Sequence, residues 1–297
     1  MTVLWPLAEP LLVDRAAHRR SEDMSHAHAV VASAGTVWFE DGAVVRVPPA
    51  QRPHAELTVY LGLHGEQDLV AVVPADEWTP PTGRMLGLRD LLAATAARGT
   101  QGDADRELAS TATAITTWHA NHPRCAFCGD PTVPTQGGWV RRCERDDRDH
   151  YPRTDPAVIV AITDPDDRIL LAHASYWSAR RFSHLAGYVE PGESLEQAVH
   201  REVMEEAGLT VAGLTYAGSQ PWPFPASVMV GYRAHVNDPA LNLDQTEIDE
   251  ARWVTRQELA ALVVDGHILL APPGSIARRM LDDWHGDPAE LIDAEVG

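Results

Sequence analysis

From Ala27 to Ala75 the apolar residues come in short β-branched runs, AVVASAGTVWF, GAVVRV, LTVYLGL and LVAVV, interrupted by Gly, Pro and Asp. Runs of this kind predict strands. The spacing then changes. In Arg89–Ala97 (RDLLAATAA) and in Arg106–His119 the apolar positions recur every three or four residues, which predicts helices. Together they make an α+β domain reaching to about residue 120. Between His122 and Tyr151 apolar positions nearly vanish and turn residues (GDPTVPTQGG) take over, so this segment cannot build a core and needs a staple. DPAVIVAITDPDDRILLA then reads as a strand, a turn at Pro165–Asp167 and a second strand. The remainder alternates strands with helices expected at Leu195–Ala207 and about Arg256–Val263. The expected segments are 1–120, 121–151 and 152–297.

The helix at Leu195–Ala207 has signals at both ends. Ser194 with Gln197 forms a capping box, and Gly208 supplies a left-handed stop. At about 100° per residue, with Glu202 at 0°, the apolar Leu195, Val199, Val203 and Ala207 fall between roughly 20° and 140°. Glu206 falls near 40°, so Glu202 and Glu206 edge the buried stripe while Glu205 lies about 60° to the other side. Three carboxylates aimed at one cleft cannot all stay ionised unless a cation sits among them. Oxygen-only ligation suits Mg²⁺ or Mn²⁺. The competing reading of an isolated ExxEE is a solvated acidic face.

Composition narrows the chemistry. The 297 residues include 24 basic side chains, every one of them Arg, against 43 acidic ones, for a formal net charge of −19. Without lysine there can be no Walker A loop, Schiff base or Ser–Lys dyad. The charge disfavours broad binding to nucleic-acid backbones or anionic membranes. Acidic proteins still handle anionic substrates when their carboxylates hold divalent metal. Three cysteines, two of them in a C-x-x-C, are no secreted disulfide framework. The opening stretch MTVLWPLAEPLLVDR lacks a basic start and is not expected to be a signal peptide. No apolar run approaches the ~20 residues of a membrane span. The expected compartment is the cytoplasm, with no membrane partner.

Gly187, Glu193, Arg201, Glu202, Val203, Glu205, Glu206, Gly208 and Leu209 reproduce, without departure, the pattern Gly, five residues, Glu, seven residues, then Arg-Glu-aliphatic-X-Glu-Glu-X-Gly-aliphatic. This resembles the signature of the Nudix hydrolases, which hydrolyse a nucleoside diphosphate linked to another group with water and metal. Downstream, Ser219–Ser227 reads SQPWPFPAS. Its three prolines and two aromatics make a rigid wall suited to stacking a flat base, or a packed loop. In this position it resembles the SQPWPFPxS array of NADH pyrophosphatases. Those enzymes combine an N-terminal Nudix-like domain, a small zinc ribbon and a catalytic domain built as an α/β/α sandwich, and the three segments here follow that order.

The resemblance implies a site. Glu202, Glu205, Glu206 and the Ala186 carbonyl would hold metal, Glu193 and Arg201 would complete the catalytic set, and Glu247 in TEIDEARW would join the metals unless it is a solvated loop acid. Gln220, Pro221, Trp222, Pro223, Phe224, Pro225, Ala226 and Ser227 would contact substrate, and Ala277 would line the same pocket. Tyr188, with Tyr151 reaching across a homodimer interface, would sandwich the nicotinamide. Arg89 would be a basic contact. The implied reaction splits the pyrophosphate of NADH or NAD⁺ into AMP and the nicotinamide mononucleotide. The alternatives are removal of NAD from capped RNA 5′ ends and, from another class, a Nudix-type ligand sensor without turnover.

Two departures stand out. Cys125, Cys128 and Cys143 match the zinc positions, but the fourth is Asp146. Asp146, Asp149, His150 or His122 could complete the zinc site, and a decayed ribbon with free thiols is the alternative. Gly138 stands where some relatives have an acid that contacts substrate.

Overall fold

The computed structural model describes residues 9–96 and 98–291. Residues 1–8 of the opening stretch, Ala97 at the end of the first expected helix, and 292–297 lie outside the described residues. Two compact units divide the chain. One holds residues up to Thr154 together with Trp222–Ala226, the other Asp155–Pro221 with Ser227 onward.

In the first unit the β-branched runs become β1 (His28–Ser33), β2 (Thr36–Glu40), β3 (Ala43–Val44), β4 (Ala55–His64) and β5 (Gln67–Pro74). β6 (Arg84–Gly87), not expected from the pattern, pairs with β2. The sheet runs β3-β2-β1-β5-β4, with β1 parallel to β5 and the other pairs antiparallel. Because side chains alternate along a strand, β1 feeds two cores. Val30 and Ala32 join Leu91, Leu108, Ala112 and Ile115 of the helices α1 (Leu88–Thr95) and α2 (Gly99–Asn121), whereas Ala29 and Val31 join Trp38, Tyr60 and Val70. α2 starts before the expected Arg106, since its buried stripe already begins at Ala104. Short strands β7 (Val133–Thr135), β8 (Val140–Cys143) and β9 (Arg148–His150) form a separate antiparallel sheet in the cysteine-bearing segment.

The second unit contains β10 (Asp155–Thr163), β11 (Ile169–Ala174), β12 (Leu185–Tyr188), α3 (Leu195–Ala207), β13 (Val211–Trp222), β14 (Ser227–Val236), β15 (Ile248–Val254), α4 (Arg256–Val264) and α5 (Ile276–His285). The expected turn after β10 is held by the buried Asp164, whose carboxylate accepts the N–H groups of Asp166 (3.1 Å) and Arg168 (2.8 Å). Strand order is β13-β14-β10-β11-β15, with β10 parallel to β14 and β12 antiparallel to β10. α3 lays Ala198, Val199, Val203 and Ala207 on Val158, Val160, Val230 and Tyr232. The sequence pattern did not predict α5. Its Ser275 cap accepts the Arg278 N–H, and Met280 packs where a Cβ on Gly231 would lie 2.8 Å from its sulfur. Among the described residues no helix is long and apolar enough to cross a membrane.

Candidate active site

The capping box at the start of α3 forms as expected. Gln197 N donates to Ser194 Oγ (3.1 Å), Ser194 N donates to Gln197 Oε1 (2.8 Å), and Gly208 ends the helix at φ 69°. This fixes the helical phase, and with it the carboxylates. Glu206 is 7% exposed and the Glu202 side chain 12%, while Glu205 turns outward at 60%. The register Val158↔Gly187 and Ile159↔Ala186 sets β12 above this face. A Cβ built on Gly187 would land on the Glu202 carboxylate, so only glycine lets that carboxylate lie against the strand.

Arg201 ties the cluster together. Its Nε and Nη2 donate to the two oxygens of Glu193 (2.6 and 3.0 Å). Its Nη1 donates to Glu202 (2.9 Å) and Glu205 (3.0 Å), and Nη2 also reaches the Tyr188 carbonyl (2.9 Å). The Arg201 bond holds the Glu193 carboxyl below its ordinary value. Glu206 is different. Burial first, then the charges of Glu202 and Glu247, push its carboxyl up to about 8 despite a bond from the Ala186 N–H. Burial likewise raises Glu202. Glu206 Oε2 is buried without a hydrogen-bond partner. A buried acceptor left unbonded beside other carboxylates is costly unless a cation meets it. The expected residues Glu193, Arg201, Glu202, Glu205, Glu206 and Ala186 are therefore brought together, and Glu247 lies close enough for its charge to act on two of them. Pattern reasoning missed Asn242 and Asp244, which dock the Glu247 loop onto α3.

The array SQPWPFPAS is the end of β13, a turn and the start of β14. Its residues serve two units. Trp222 and Phe224 belong to the first and pack on its core, edge to face with ring centroids 5.1 Å apart. The Arg89 guanidinium lies 4.7 Å from the Phe224 ring centre and 5.7 Å from that of Trp222. Pro223 is buried, Ala226 is half-buried, and Pro221 and Pro225 are exposed. Gln220 and Ser227 bond within the second unit. Buried Gln220 donates to the Gly274 carbonyl (2.8 Å) and accepts from Ile276 N (2.7 Å), which pins the start of α5 and so Ala277. Ser227 Oγ lies 3.2 Å from the Tyr188 hydroxyl, whose ring is half exposed. His184, buried beside the Ala277 backbone, is driven down to about 4 by that burial. Tyr151 follows β9 and is 66% exposed.

In the ribbon segment, Cys125, Cys128, Cys143 and Asp146 place ligand atoms within 4.8 Å of one another. Cys125 Sγ is 3.6 Å from Asp146 Oδ2, and Cys128 Sγ is 3.6 Å from Cys143 Sγ. The competing candidates are engaged or outside the group. Asp149 pairs with Arg142 (2.9 Å), His122 Nδ1 lies 3.2 Å from the Trp118 carbonyl, and His150 packs near Phe127. Three thiolates and a carboxylate fit Zn²⁺. Gly138 has φ 84°, and a Cβ there would sit 2.7 Å from Val59 Cγ2, so this backbone accepts no acid at that position. Its carbonyl accepts from His119 Nε2 (2.7 Å), while His119 Nδ1 accepts from buried Arg141 (2.7 Å). Burial, with a smaller contribution from the Arg141 charge, lowers His119 against the raising effect of its bond to the Gly138 carbonyl.

The NUDIX domain family matches residues 153–271, and the NADH pyrophosphatase zinc ribbon domain family matches residues 120–151. The NAD-capped RNA hydrolase NudC of Mycobacterium bovis (strain BCG / Pasteur 1173P2) is 43% identical over 192 residues, 61% of this chain and 61% of the relative. That of Citrobacter koseri is 38% identical over 179 residues, 60% of this chain and 65% of the relative. The chain thus spans less than two thirds of the length of these curated relatives.

Proposed function

Since this chain carries a Nudix domain behind an NADH pyrophosphatase zinc ribbon, we propose that it is a metal-dependent hydrolase. It would split the pyrophosphate of NADH or NAD⁺ into AMP and the nicotinamide mononucleotide. The observation that carries the reading is Glu206, a buried carboxylate with one unbonded oxygen among Glu202, Glu205 and Glu247, beneath the strand whose Gly187 leaves room for the Glu202 carboxylate. Glu202, Glu205, Glu206, Glu247 and the Ala186 carbonyl would hold Mg²⁺ or Mn²⁺. When bound, the cation neutralises the bridging phosphates and acidifies the attacking water. Arg201 holds Glu193, Glu202 and Glu205 in one network and so keeps the carboxylates oriented before substrate arrives.

Tyr188, braced by Ser227, offers one face to the nicotinamide, and Tyr151 of a second protomer the other; the active species is a homodimer. Arg89, Trp222 and Phe224 form an aromatic and cationic surface suited to a base. Gln220 acts on the pocket through Ala277. Cys125, Cys128, Cys143 and Asp146 would hold a structural Zn²⁺, and the enzyme works in the cytoplasm. The names of the relatives favour a second substrate for the same reaction, the NAD-capped 5′ end of RNA. The test is a panel of NADH, NAD⁺, ADP-ribose, FAD and NAD-capped RNA with Mg²⁺ or Mn²⁺, products identified by mass. AMP with reduced nicotinamide mononucleotide supports the reading. No hydrolysis of any of these with either metal refutes it, and favours a ligand sensor.

A further inference from the structure

The last carbonyls of a helix have no partner inside it. In α3 two of them are taken up by a distant loop: the Glu206 carbonyl accepts Asp244 N (3.2 Å) and the Ala207 carbonyl accepts Asn242 N (2.9 Å). Gly208 makes room for this, because a Cβ there would lie 2.7 Å from Asn242 Cβ and 3.0 Å from the Asn242 carbonyl oxygen. The same glycine therefore both stops the helix and admits the loop. Asp244 next turns the chain toward β15. Its carbonyl accepts Glu247 N (3.1 Å) and Ile248 N (2.9 Å), and its Oδ1 accepts Thr246 N (2.9 Å) and Thr246 Oγ (2.8 Å). From the turn after β11, Ser175 N donates to the Glu247 carbonyl (2.9 Å) and Ser175 Oγ to the Thr246 carbonyl (3.1 Å). A single residue thus links the backbone of Glu206 to the backbone of Glu247.

We propose that Asp244 is a positioning residue whose side-chain turn fixes Glu247 beside Glu202 and Glu206 for cation binding. This rests on the metal role assigned above to those carboxylates. Glu247 sits on an exposed loop, where a free backbone would add an ordering cost to every binding event. The Asp244 turn removes part of that cost in advance. Its charge is not what the role requires, since both bonds at Oδ1 are accepted from neutral donors. Asparagine can accept the same two bonds and alanine can accept neither.

The test compares the full-length parent with Asp244→Ala, Asp244→Asn, Thr246→Val, Glu247→Gln and the double Asp244→Ala/Glu247→Gln. Mn²⁺ binding is read by titrated thermal shift, and turnover on NADH is read separately. Asp244→Ala should raise the half-saturating Mn²⁺ concentration roughly five- to tenfold, the scale of about one lost hydrogen bond of ordinary strength. Asp244→Asn should stay within about twofold of the parent, and Thr246→Val should fall between the two. The double variant should bind no more weakly than Glu247→Gln alone, because the turn acts only through Glu247. Parent-like binding by both Asp244→Ala and Thr246→Val overturns the proposal. So does an Asp244→Asn variant as weak as Asp244→Ala, or losses that multiply in the double variant. If Asp244→Ala fails to fold, Thr246→Val and Asp244→Asn carry the same contrast. A parent that binds Mn²⁺ but hydrolyses no dinucleotide refutes the proposed reaction and leaves the binding comparison intact.

Discussion

Replacing Glu206 by Gln tests the buried carboxylate directly. The side chain keeps nearly its shape and loses its charge. Glu206 is 7% exposed, one oxygen has no hydrogen-bond partner, and burial followed by the charges of Glu202 and Glu247 puts its carboxyl at about 8. Without metal, the folded protein therefore keeps a proton that the unfolded chain releases near its ordinary value of 4.5. Stability must then fall as pH rises through the window from 4.5 to about 8. Between pH 6 and pH 8 one such proton is worth about 2 kcal/mol, which lowers the melting temperature by several degrees. Glu206→Gln should remove most of that slope and melt higher than the parent at pH 8. Glu202, also raised by burial, leaves a remainder. Turnover should move the other way and fall roughly 10²-fold or more, because a main electrostatic stabiliser is gone. The assay is calorimetry of chelated protein at pH 6, 7 and 8, beside NADH hydrolysis at saturating Mn²⁺. A variant with the parent's pH slope would refute the account of burial. A variant within a few-fold of parental turnover would refute the metal role.

Three further outcomes follow from the geometry. Gly187→Ala should displace the Glu202 carboxylate, on which the new Cβ would land, and cut kcat roughly 10²-fold with little change in melting; parental kcat would mean that Glu202 works from another position. Protein purified without chelator should carry about one zinc per chain by elemental analysis, and Cys143→Ser should lose it. Three freely titrating thiols in the native protein would show a ribbon without metal. Tyr151→Ala should weaken NADH hydrolysis by about 1–3 kcal/mol and spare ADP-ribose, which has no nicotinamide ring to stack; equal losses on both would make Tyr151 structural.

What was legible in the sequence was local. The phase of α3, its caps and the placement of Glu202 and Glu206 depend on residues within about two turns of one another, and the pattern predicts them correctly. The start of α2 was missed because Gly99 and Gly102 are poor helix formers; the buried stripe from Ala104 onward, not propensity, keeps that turn helical. α5 was missed although its local signal is present: Ile276, Met280 and Leu281 recur at helical spacing and are buried, and only their packing on Gly231 is tertiary. Its PPGS entry did carry a capping signal that could have marked it. The SQPWPFPAS array was legible as one stiff wall, yet Trp222 and Phe224 pack with Arg89 while Gln220 holds α5. That division depends on partners scores of residues away in either direction, and no window of sequence contains them. Gly138 gives the same lesson in reverse. By sequence it is a missing acid; in the fold its φ of 84° and the close approach of Val59 leave no room for one. The backbone there is thus adapted to glycine, so restoring an acid would disturb the bond from His119 to the Gly138 carbonyl and, through it, the segment that carries Tyr151.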